Sequence, residues 1–172
     1  MIKPPFGYPG SKIKQLKNIL PHIPYLNRYV EVFGGTGSVL LNRDKSRFEI
    51  FNDKYSGITS FYKCLQDQGK LDQLVEKIMY TVHSREFWGW CKDTWEDQDD
   101  LVNRAFRWFY TTKYSFGQIG RNFGRSTGVS NGDSGKIIRS CELFNEINLR
   151  LRNVLIENLN YKKCILDYAS KQ

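Results

Sequence analysis

Residues 29–42 combine an apolar run, a glycine-rich turn and a second apolar run, and they constrain the fold more than any other stretch. The first run, 29–33, predicts a short buried strand of a parallel sheet. Three glycines follow, two of them Gly35 and Gly37, and residues without a Cβ take such a tight turn most easily. Ser38 is a candidate N-cap for the next helix. Because strand, glycine turn and helix N-terminus together present backbone amides to a ligand, the stretch indicates a nucleotide-binding turn in an α/β fold.

Length and composition are those of one ordinary domain. The chain has 172 residues, 40% of them hydrophobic, and no apolar run approaches the roughly 18 residues that span a membrane. We therefore expect a cytoplasmic protein without a membrane segment. The four cysteines show no C-x-x-C spacing and only two histidines accompany them, which predicts free thiols and no metal site. The formal net charge of +8 favours a polyanionic partner without identifying one.

Hydrophobic periodicity divides the rest of the chain into strands and helices. Two further strands are predicted at 47–53 and 154–158, and three strands separated by helices indicate a parallel α/β sheet. The predicted helices cover 12–20, 54–65, 70–80, 84–92, 99–113, 140–150 and 162–172. Because the pattern between the second and third strands is helical, we predict an inserted helical subdomain. The predicted parts are a core segment at 1–66, an insertion at 67–140 and a return to the core at 141–172.

An acidic residue ends the second predicted strand. Asp53 lies 16 residues after Gly37, close to the roughly 20 residues between the glycines and the ribose-binding acid of dinucleotide folds. A carboxylate at this place accepts both hydroxyl hydrogens of a ribose diol. The alternative is a turn-forming Asn-Asp pair without a ligand. The glycine turn upstream favours the ribose role.

A long, polar, glycine-rich loop is predicted at 114–136. Loops of this length in compact proteins are usually functional or disordered. Between Asn103 and Ser140, seven basic residues stand against one acid, so this part carries most of the net positive charge. Cations bind phosphates, and rings fill the space that an extruded base leaves, so the composition favours a DNA-facing loop. A solvated insertion without a partner is the alternative.

Together these motifs resemble those of the Dam-type DNA adenine-N6 methyltransferases, and the resemblance extends over essentially the whole chain. Segment 6–12 is similar to the family's aromatic-x-Gly-Gly-Lys motif, with Tyr8 in place of Trp and Ser11 in place of the second glycine. Segment 31–38 is similar to Glu-Pro-Phe-x-Gly-x-Gly-Ser, with Val32 in place of proline. The resemblance implies a partial Rossmann-like methyltransferase sheet with helices, plus an inserted, mainly helical DNA-recognition subdomain.

The resemblance also implies ligands and the residues that bind them. S-adenosylmethionine is the expected cofactor, double-stranded DNA is the expected partner, and a restriction–modification or phage setting is expected. The expected cofactor-binding residues are Tyr8, Lys12, Glu31, Phe33, Gly35, Gly37, Asp53, Asn160 and Tyr161. The expected DNA-binding residues lie in or near a segment similar to the family's DNA-entering hairpin, and they are Arg107, Lys113, Tyr114, Phe116, Gln118, Arg121, Asn122 and Arg125.

The chain departs from the family at the catalytic tetrapeptide, Asp-Pro-Pro-Tyr or a close variant, which is expected after the third strand. In the family, its carboxylate and a backbone carbonyl accept the two amine hydrogens of adenine N6, and its aromatic ring stacks on the extruded base. The Pro-Pro pair in this sequence follows Lys3, whose ammonium cannot accept a hydrogen bond. We therefore expect no catalytic residue here, and activity only with a second polypeptide or a C-terminal segment that carries the tetrapeptide.

Two other hypotheses stand beside this one. The first is a non-catalytic DNA-binding or decoy protein derived from such an enzyme, with salt-dependent DNA affinity and no cofactor requirement. The second is an unrelated nucleotide-binding α/β enzyme, although the sequence contains no G-x-x-x-x-G-K-[ST] motif for Walker-type hydrolysis. In the family, the tetrapeptide strand lies beside the glycine-loop strand, so its absence predicts an unpaired sheet edge at 29–33.

Overall fold

Three parallel strands form the sheet of the computed structural model, which describes residues 1–124 and 135–168. The strands are β1 (Arg28–Glu31), β2 (Phe48–Asn52) and β3 (Val154–Glu157). They lie in the order β1-β2-β3, with Val30 opposite Ile50 and Ile50 opposite Leu155. Each strand lies within two residues of its predicted bounds. Helices cross over between the strands, as parallel pairing requires, and the predicted α/β class is confirmed.

Helices make up most of the remaining described chain. They are α1 (Leu16–Ile19), α2 (Ser38–Asn42), α3 (Ser56–Gln66), α4 (Gln68–Met79), α5 (Arg85–Thr94), α6 (Leu101–Lys113), α7 (Lys136–Cys141), α8 (Phe144–Leu151) and α9 (Tyr161–Tyr168). Short 3₁₀ turns lie at Ile13–Gln15, Leu20–His22 and Phe116–Gln118.

Two of the predicted helices are not continuous. The segment 12–20 alternates between 3₁₀ and α geometry. Pro21 lies in the 3₁₀ turn that follows α1, and it cannot continue the α-helix because proline lacks the backbone donor that an α-helix needs. The single helix predicted at 140–150 is wrong, since α7 and α8 are separate. The amide of Leu143 bonds to the carbonyl of Ser140, and this tighter turn interrupts the α-helical pattern.

The glycine turn also corrects the predicted helix start. Gly37, at φ +65°, occupies the N-cap position of α2, and Ser38 is the first helical residue rather than the cap. The Ser38 hydroxyl instead lies 2.8 Å from the hydroxyl of Thr36. Because glycine adopts a left-handed backbone without steric cost, it takes the cap position and leaves Ser38 to the helix.

Aromatic side chains from α3 and α6 form the centre of the core. Phe61 stacks on Phe109 with ring centroids 4.6 Å apart, and Trp108 meets Phe6 edge-on at 5.0 Å. Helix α6 belongs to the predicted insertion at 67–140, whereas α3 belongs to the predicted core segment at 1–66. The two parts therefore share one core, and the division into three segments stays a prediction.

β1 forms one edge of the sheet. Among the described residues it pairs with β2 alone, which agrees with the expected open edge. Phe33 lies two residues after this strand, and 74% of its surface is exposed. An apolar strand edge without a partner is a surface on which another strand can pair.

Within 1–124 and 135–168, no helix is both long and apolar enough to cross a lipid bilayer. Nor do the described side chains include a group of three or more His, Cys, Asp or Glu placed to hold a metal ion. The four cysteines are not joined in disulfides.

A buried ion cluster joins β2 to α8 and to the segment after α2. The Glu49 carboxylate accepts hydrogen bonds from Arg43 and from two nitrogens of Arg150, at 2.5–2.9 Å. The three side chains are 4–5% exposed, so each buried charge is compensated by its ion-pair partners rather than by water. The Arg43 guanidinium also lies over the Tyr29 ring, 3.9 Å from its centroid. The cluster thus holds the sheet against the helices at the end remote from the glycine turn.

Replacing Glu49 with Gln is expected to lower the free energy of unfolding by about 3–5 kcal/mol, because two buried guanidinium groups would lose their counter-charge. Urea denaturation followed by circular dichroism measures this change. Asp167→Asn is the matched control, since Asp167 pairs with Lys163 on the exposed side of α9, and its effect should be small. Equal stability of the two variants would show that the cluster does not hold the fold.

Candidate functional site

A cavity of about 340 Å³ lies between the N-terminal loop and the glycine turn. Pockets for small ligands are usually roughly 300–1,000 Å³, so the volume is sufficient for a nucleoside-sized molecule. Six of the nine predicted cofactor-binding residues line it, namely Tyr8, Lys12, Glu31, Phe33, Gly35 and Asp53. The sequence motifs at 6–12, 31–38 and 53 therefore converge on one cavity.

The glycine turn approaches β2 too closely for a side chain. The Gly34 amide donates to the Asn52 carbonyl at 2.8 Å, and a Cβ on Gly34 would lie 2.3 Å from the Phe51 ring. Gly35 and Gly37 have φ values of +51° and +65°. The turn thus needs glycine at 34 for space and at the other two positions for conformation. Gly37 shapes the turn without lining the cavity.

Two backbone amides hold the Asp53 carboxylate at the cavity. The Gly35 amide donates to Oδ2 and the Tyr55 amide donates to Oδ1, each at 2.8 Å. A carboxylate oxygen has two lone pairs, so both oxygens retain capacity for a ligand hydroxyl. This geometry suits the ribose role predicted for Asp53. The role itself stays a prediction.

Three hydroxyl groups join the two walls of the cavity, a link that the sequence motifs do not predict. Ser11 Oγ lies 3.0 Å from Thr36 Oγ1 and 3.3 Å from Ser38 Oγ, and Thr36 and Ser38 are 2.8 Å apart. One feature of the sequence could have indicated this link: Ser11 stands where the family motif has its second glycine. Its hydroxyl supplies the contact between the N-terminal loop and the glycine turn.

Glu31 is a half-buried carboxyl group on the cavity wall. Burial raises its pKa to about 7, while the hydrogen bond from Tyr29 and the charges of Arg43 and Arg150 oppose the rise. The Tyr29 hydroxyl donates to Glu31 Oε2 at 3.2 Å. A cationic group placed in the cavity would favour the ionised carboxylate.

Asn160 and Tyr161 lie after β3, beside the cavity rather than on its wall. The Tyr161 ring is 5.8 Å from the Phe33 ring, centroid to centroid. Asn160 Oδ1 accepts a hydrogen bond from the Lys162 amide at 3.0 Å. The structure thus brings Tyr161 next to one cavity residue, and the cofactor roles of both residues stay predictions.

Residues 115–123 form the hairpin that the sequence predicts to face DNA. Ser115 and Phe123 make an antiparallel bridge, and the Phe116 amide donates to the Asn122 carbonyl at 2.8 Å. Phe116 is 75% exposed, and Arg121 and Asn122 are exposed as well. These three predicted DNA-binding side chains are therefore accessible on one small hairpin.

Two of the predicted DNA-binding side chains pack against the helices. The Arg107 guanidinium lies 3.8 Å from the centroid of the Trp90 ring, and Tyr114 stacks on His83 at 4.2 Å. A direct contact of these groups with DNA would require them to leave this packing. Arg125 lies outside the described residues.

Lys113 is directed towards the N-terminal loop. Its ammonium donates to the Pro5 carbonyl at 3.1 Å. Burial lowers the pKa of Lys113 to about 8, and the nearby charges of Lys136 and Arg139 lower it further. The sequence indicated a cation near the hairpin, but hydrophobic periodicity could not show that its amine faces the loop.

A larger groove of about 660 Å³ lies between α4 and the α7–α8 region. Its walls are the side chains of Leu71, Asp72, Val75, Glu76, Met79, Tyr80, Cys141 and Asn145. None of the predicted cofactor-binding residues is among them. Volume alone therefore does not identify the cofactor site, and the smaller cavity is the better candidate because the motifs meet there.

The raised pKa of Glu31 predicts a pH dependence of stability. The pKa is about 7 in the folded state against an ordinary value of 4.5, so the folded state binds more protons between these values. The free energy of unfolding should therefore fall as the pH rises from about 4.5 to 7. In Glu31→Gln this contribution should be absent, and urea denaturation of both proteins across this range measures it. Identical pH slopes would contradict the assignment.

The chain is similar in sequence to known DNA methyltransferases over most of its length. A family model described as D12 class N6 adenine-specific DNA methyltransferase matches residues 8–172. The chain is 33% identical over 112 residues to a modification methylase, StsI, of Streptococcus sanguinis, covering 64% of this chain and 16% of that protein. It is 25% identical over 114 residues to a DNA adenine methylase of Vibrio cholerae serotype O1, covering 65% of this chain and 41% of that protein. The chain thus spans less than half the length of these relatives.

Proposed function

Because the match extends over residues 8–172, the chain belongs to the D12 class N6 adenine-specific DNA methyltransferase family, and we propose that it is the cofactor-binding and DNA-recognition portion of such an enzyme. The observation that carries the proposal is the cavity in which Tyr8, Asp53 and the glycine turn converge. The relatives it resembles are longer, so the activity of a whole enzyme is part of the proposal rather than a finding.

The proposed cofactor is S-adenosylmethionine, which when bound supplies an electrophilic methyl group on a sulfonium. Asp53, oriented by two amides, would accept hydrogen bonds from the ribose hydroxyls. The Glu31 carboxylate would attract the cationic part of the cofactor. Tyr8 and Phe33 would cover apolar surface of the ligand at the rim, where both side chains are exposed. Lys12, Asn160 and Tyr161 remain proposed contacts of the same ligand.

The proposed substrate is duplex DNA, with the hairpin at 115–123 as the contact. Arg121 would bind backbone phosphate, and the exposed ring of Phe116 would pack where a base leaves the stack. Asn122 is exposed beside them and offers both a donor and an acceptor to a base edge. Arg107 contacts Trp90 and Thr94 of α5, and Lys113 contacts Pro5 of the N-terminal loop, so a structural role is favoured for both. Tyr114 stacks on His83 and accepts a hydrogen bond from the Gly124 amide, which favours support of the hairpin.

We also propose that methyl transfer requires an Asp-Pro-Pro-Tyr segment from a second polypeptide or from a longer form of the chain. The open edge of β1 supports this, since a further strand could pair there. The exposed Phe33 beside that edge supports it too, because a pairing strand would cover apolar surface that now faces solvent. The supplied carboxylate and carbonyl would accept the amine hydrogens of the target adenine.

Asp53→Ala should weaken S-adenosylmethionine binding at least about tenfold, because the ribose hydroxyls would lose a charged acceptor. Isothermal titration calorimetry on the two proteins measures this, with thermal melting to verify folding. Asp72→Ala, at an exposed carboxylate on α4, is the control and should bind as the wild type does. If the wild type binds DNA but no cofactor, the non-catalytic DNA-binding hypothesis is favoured instead.

Arg121→Ala should weaken binding to a duplex oligonucleotide and reduce the slope of log K against log[salt] by about 1, because one phosphate contact would be lost. Fluorescence anisotropy at several salt concentrations measures both quantities. Lys63→Ala removes an exposed cation from α3 and should leave the slope unchanged. Equal slopes for wild type and Arg121→Ala would remove the hairpin from the DNA contact.

A further inference from the structure

The N-terminal loop at residues 5–12 touches both the hairpin and the glycine turn. Near its start the loop is fixed in the core, where Phe6 is 2% exposed and packs edge-on against Trp108 and Phe61 at 5.0 and 5.8 Å. The next residue, Gly7, contacts the hairpin. Beyond it, Tyr8–Lys12 form one wall of the cavity.

Gln118 is the hairpin residue that contacts the N-terminal loop. The Gly7 amide donates to Gln118 Oε1 at 2.6 Å. A Cβ on Gly7 would lie 3.0 Å from Gln118 Nε2, so a side chain at this position would require the end of Gln118 to shift. Gln118 itself has φ +56°, a left-handed backbone that is uncommon for a residue with a side chain. Such strain persists where the surroundings hold it, and it is concentrated at functional positions.

The other end of the loop is bonded to the glycine turn. The Ser11 amide donates to the Tyr8 carbonyl at 3.0 Å, which closes a turn at the cavity wall. The Ser11 hydroxyl then contacts Thr36 and Ser38. Residues 7–11 are therefore hydrogen-bonded to the hairpin at Gly7 and to the glycine turn at Ser11.

The charges around Tyr8 also indicate that the hairpin lies close to the cavity. Burial raises the pKa of Tyr8, the charge of Asp53 raises it further, and the charge of Arg121 lowers it. The Tyr8 hydroxyl thus lies within the influence of both the cavity carboxylate and the hairpin cation. A change in hairpin position would alter the surroundings of this side chain.

We infer that Gln118 is a positioning residue, whose amide oxygen fixes Gly7 and thereby sets the Tyr8–Lys12 wall of the cavity. The family resemblance implies a DNA contact for Gln118, but its amide oxygen already accepts a hydrogen bond within the protein. The inference rests on the proposed function for the identity of the two ligands. It follows that cofactor in the cavity and DNA on the hairpin bind with positive coupling, because each favours the same position of the loop.

Three variants separate the hydrogen bond from the strained backbone. Gln118→Leu removes the acceptor and keeps the strain. Gln118→Gly removes the acceptor and relieves the strain, since glycine adopts φ +56° freely. Gln118→Glu keeps an acceptor oxygen. Gln68→Leu, at an exposed glutamine of α4, is the matched control.

Calorimetry with S-adenosylmethionine, without DNA, is the first measurement. The Leu and Gly variants of Gln118 should bind about tenfold more weakly, whereas Gln118→Glu and Gln68→Leu should bind like the wild type. With a saturating duplex oligonucleotide, wild-type affinity for the cofactor should rise, and this rise should vanish in the Leu and Gly variants. Wild-type affinity in Gln118→Gly, or an undiminished rise in Gln118→Leu, would overturn the inference.

Hydrogen exchange of the ligand-free protein decides the inference separately from the proposed function. Gln118→Leu and Gln118→Gly should accelerate exchange at the amides of Gly7 and Ser11, and Gln118→Glu should not. If wild-type protein binds no S-adenosylmethionine, the proposed function fails, and this exchange pattern still supports or overturns the positioning role. Unchanged exchange at Ser11 in both variants would show that Gln118 does not set the wall.

Discussion

The buried side-chain amide of Asn52 holds the strand ends on which the candidate site is built. Its Nδ2 donates to the carbonyls of Val32 and Leu159 at 2.9 and 3.1 Å, and its Oδ1 accepts from the Leu159 amide at 2.8 Å. Its backbone carbonyl accepts from Gly34. An unpaired buried polar group costs about 1–3 kcal/mol, so the chain segments after β1 and β3 are confined to positions that keep these bonds. The next residue, Asp53, is consequently held beside the glycine turn.

The cavity and the hairpin are supported by the same N-terminal loop. The loop closes the cavity through Ser11, reaches the core through Phe6 and meets the hairpin through Gly7. A methyl donor and duplex DNA, the two ligands proposed for this family member, would therefore occupy neighbouring sites on one continuous support. The proposed methyl transfer also needs acceptors for the hydrogens of the adenine amine, and the open edge of β1 is where a segment carrying them could pair.

Periodicity predicted the strands and most helices because both depend on which residues face the core. The spacing between the glycine turn and Asp53 predicted that the two would lie close together, and they do meet at one cavity, since parallel strands bring their carboxyl ends to one edge of the sheet. The helix cap was mispredicted, because a left-handed Gly37 preceded the serine. The direction of side chains could not be predicted from the periodicity. The sequence shows that Lys113 and Arg107 are charged, but α6 is buried on most sides and both side chains form hydrogen bonds within the protein.

The central claim is that the methyl donor binds between the N-terminal loop and the glycine turn. Titration of ¹⁵N-labelled protein with S-adenosylmethionine, followed by amide chemical shifts, tests it most directly. The account predicts that the largest changes occur at residues 8–12, 34–37 and 53–55, with none in the groove between α4 and the α7–α8 region. Changes centred on that groove, or saturation without changes at the glycine turn, would contradict it.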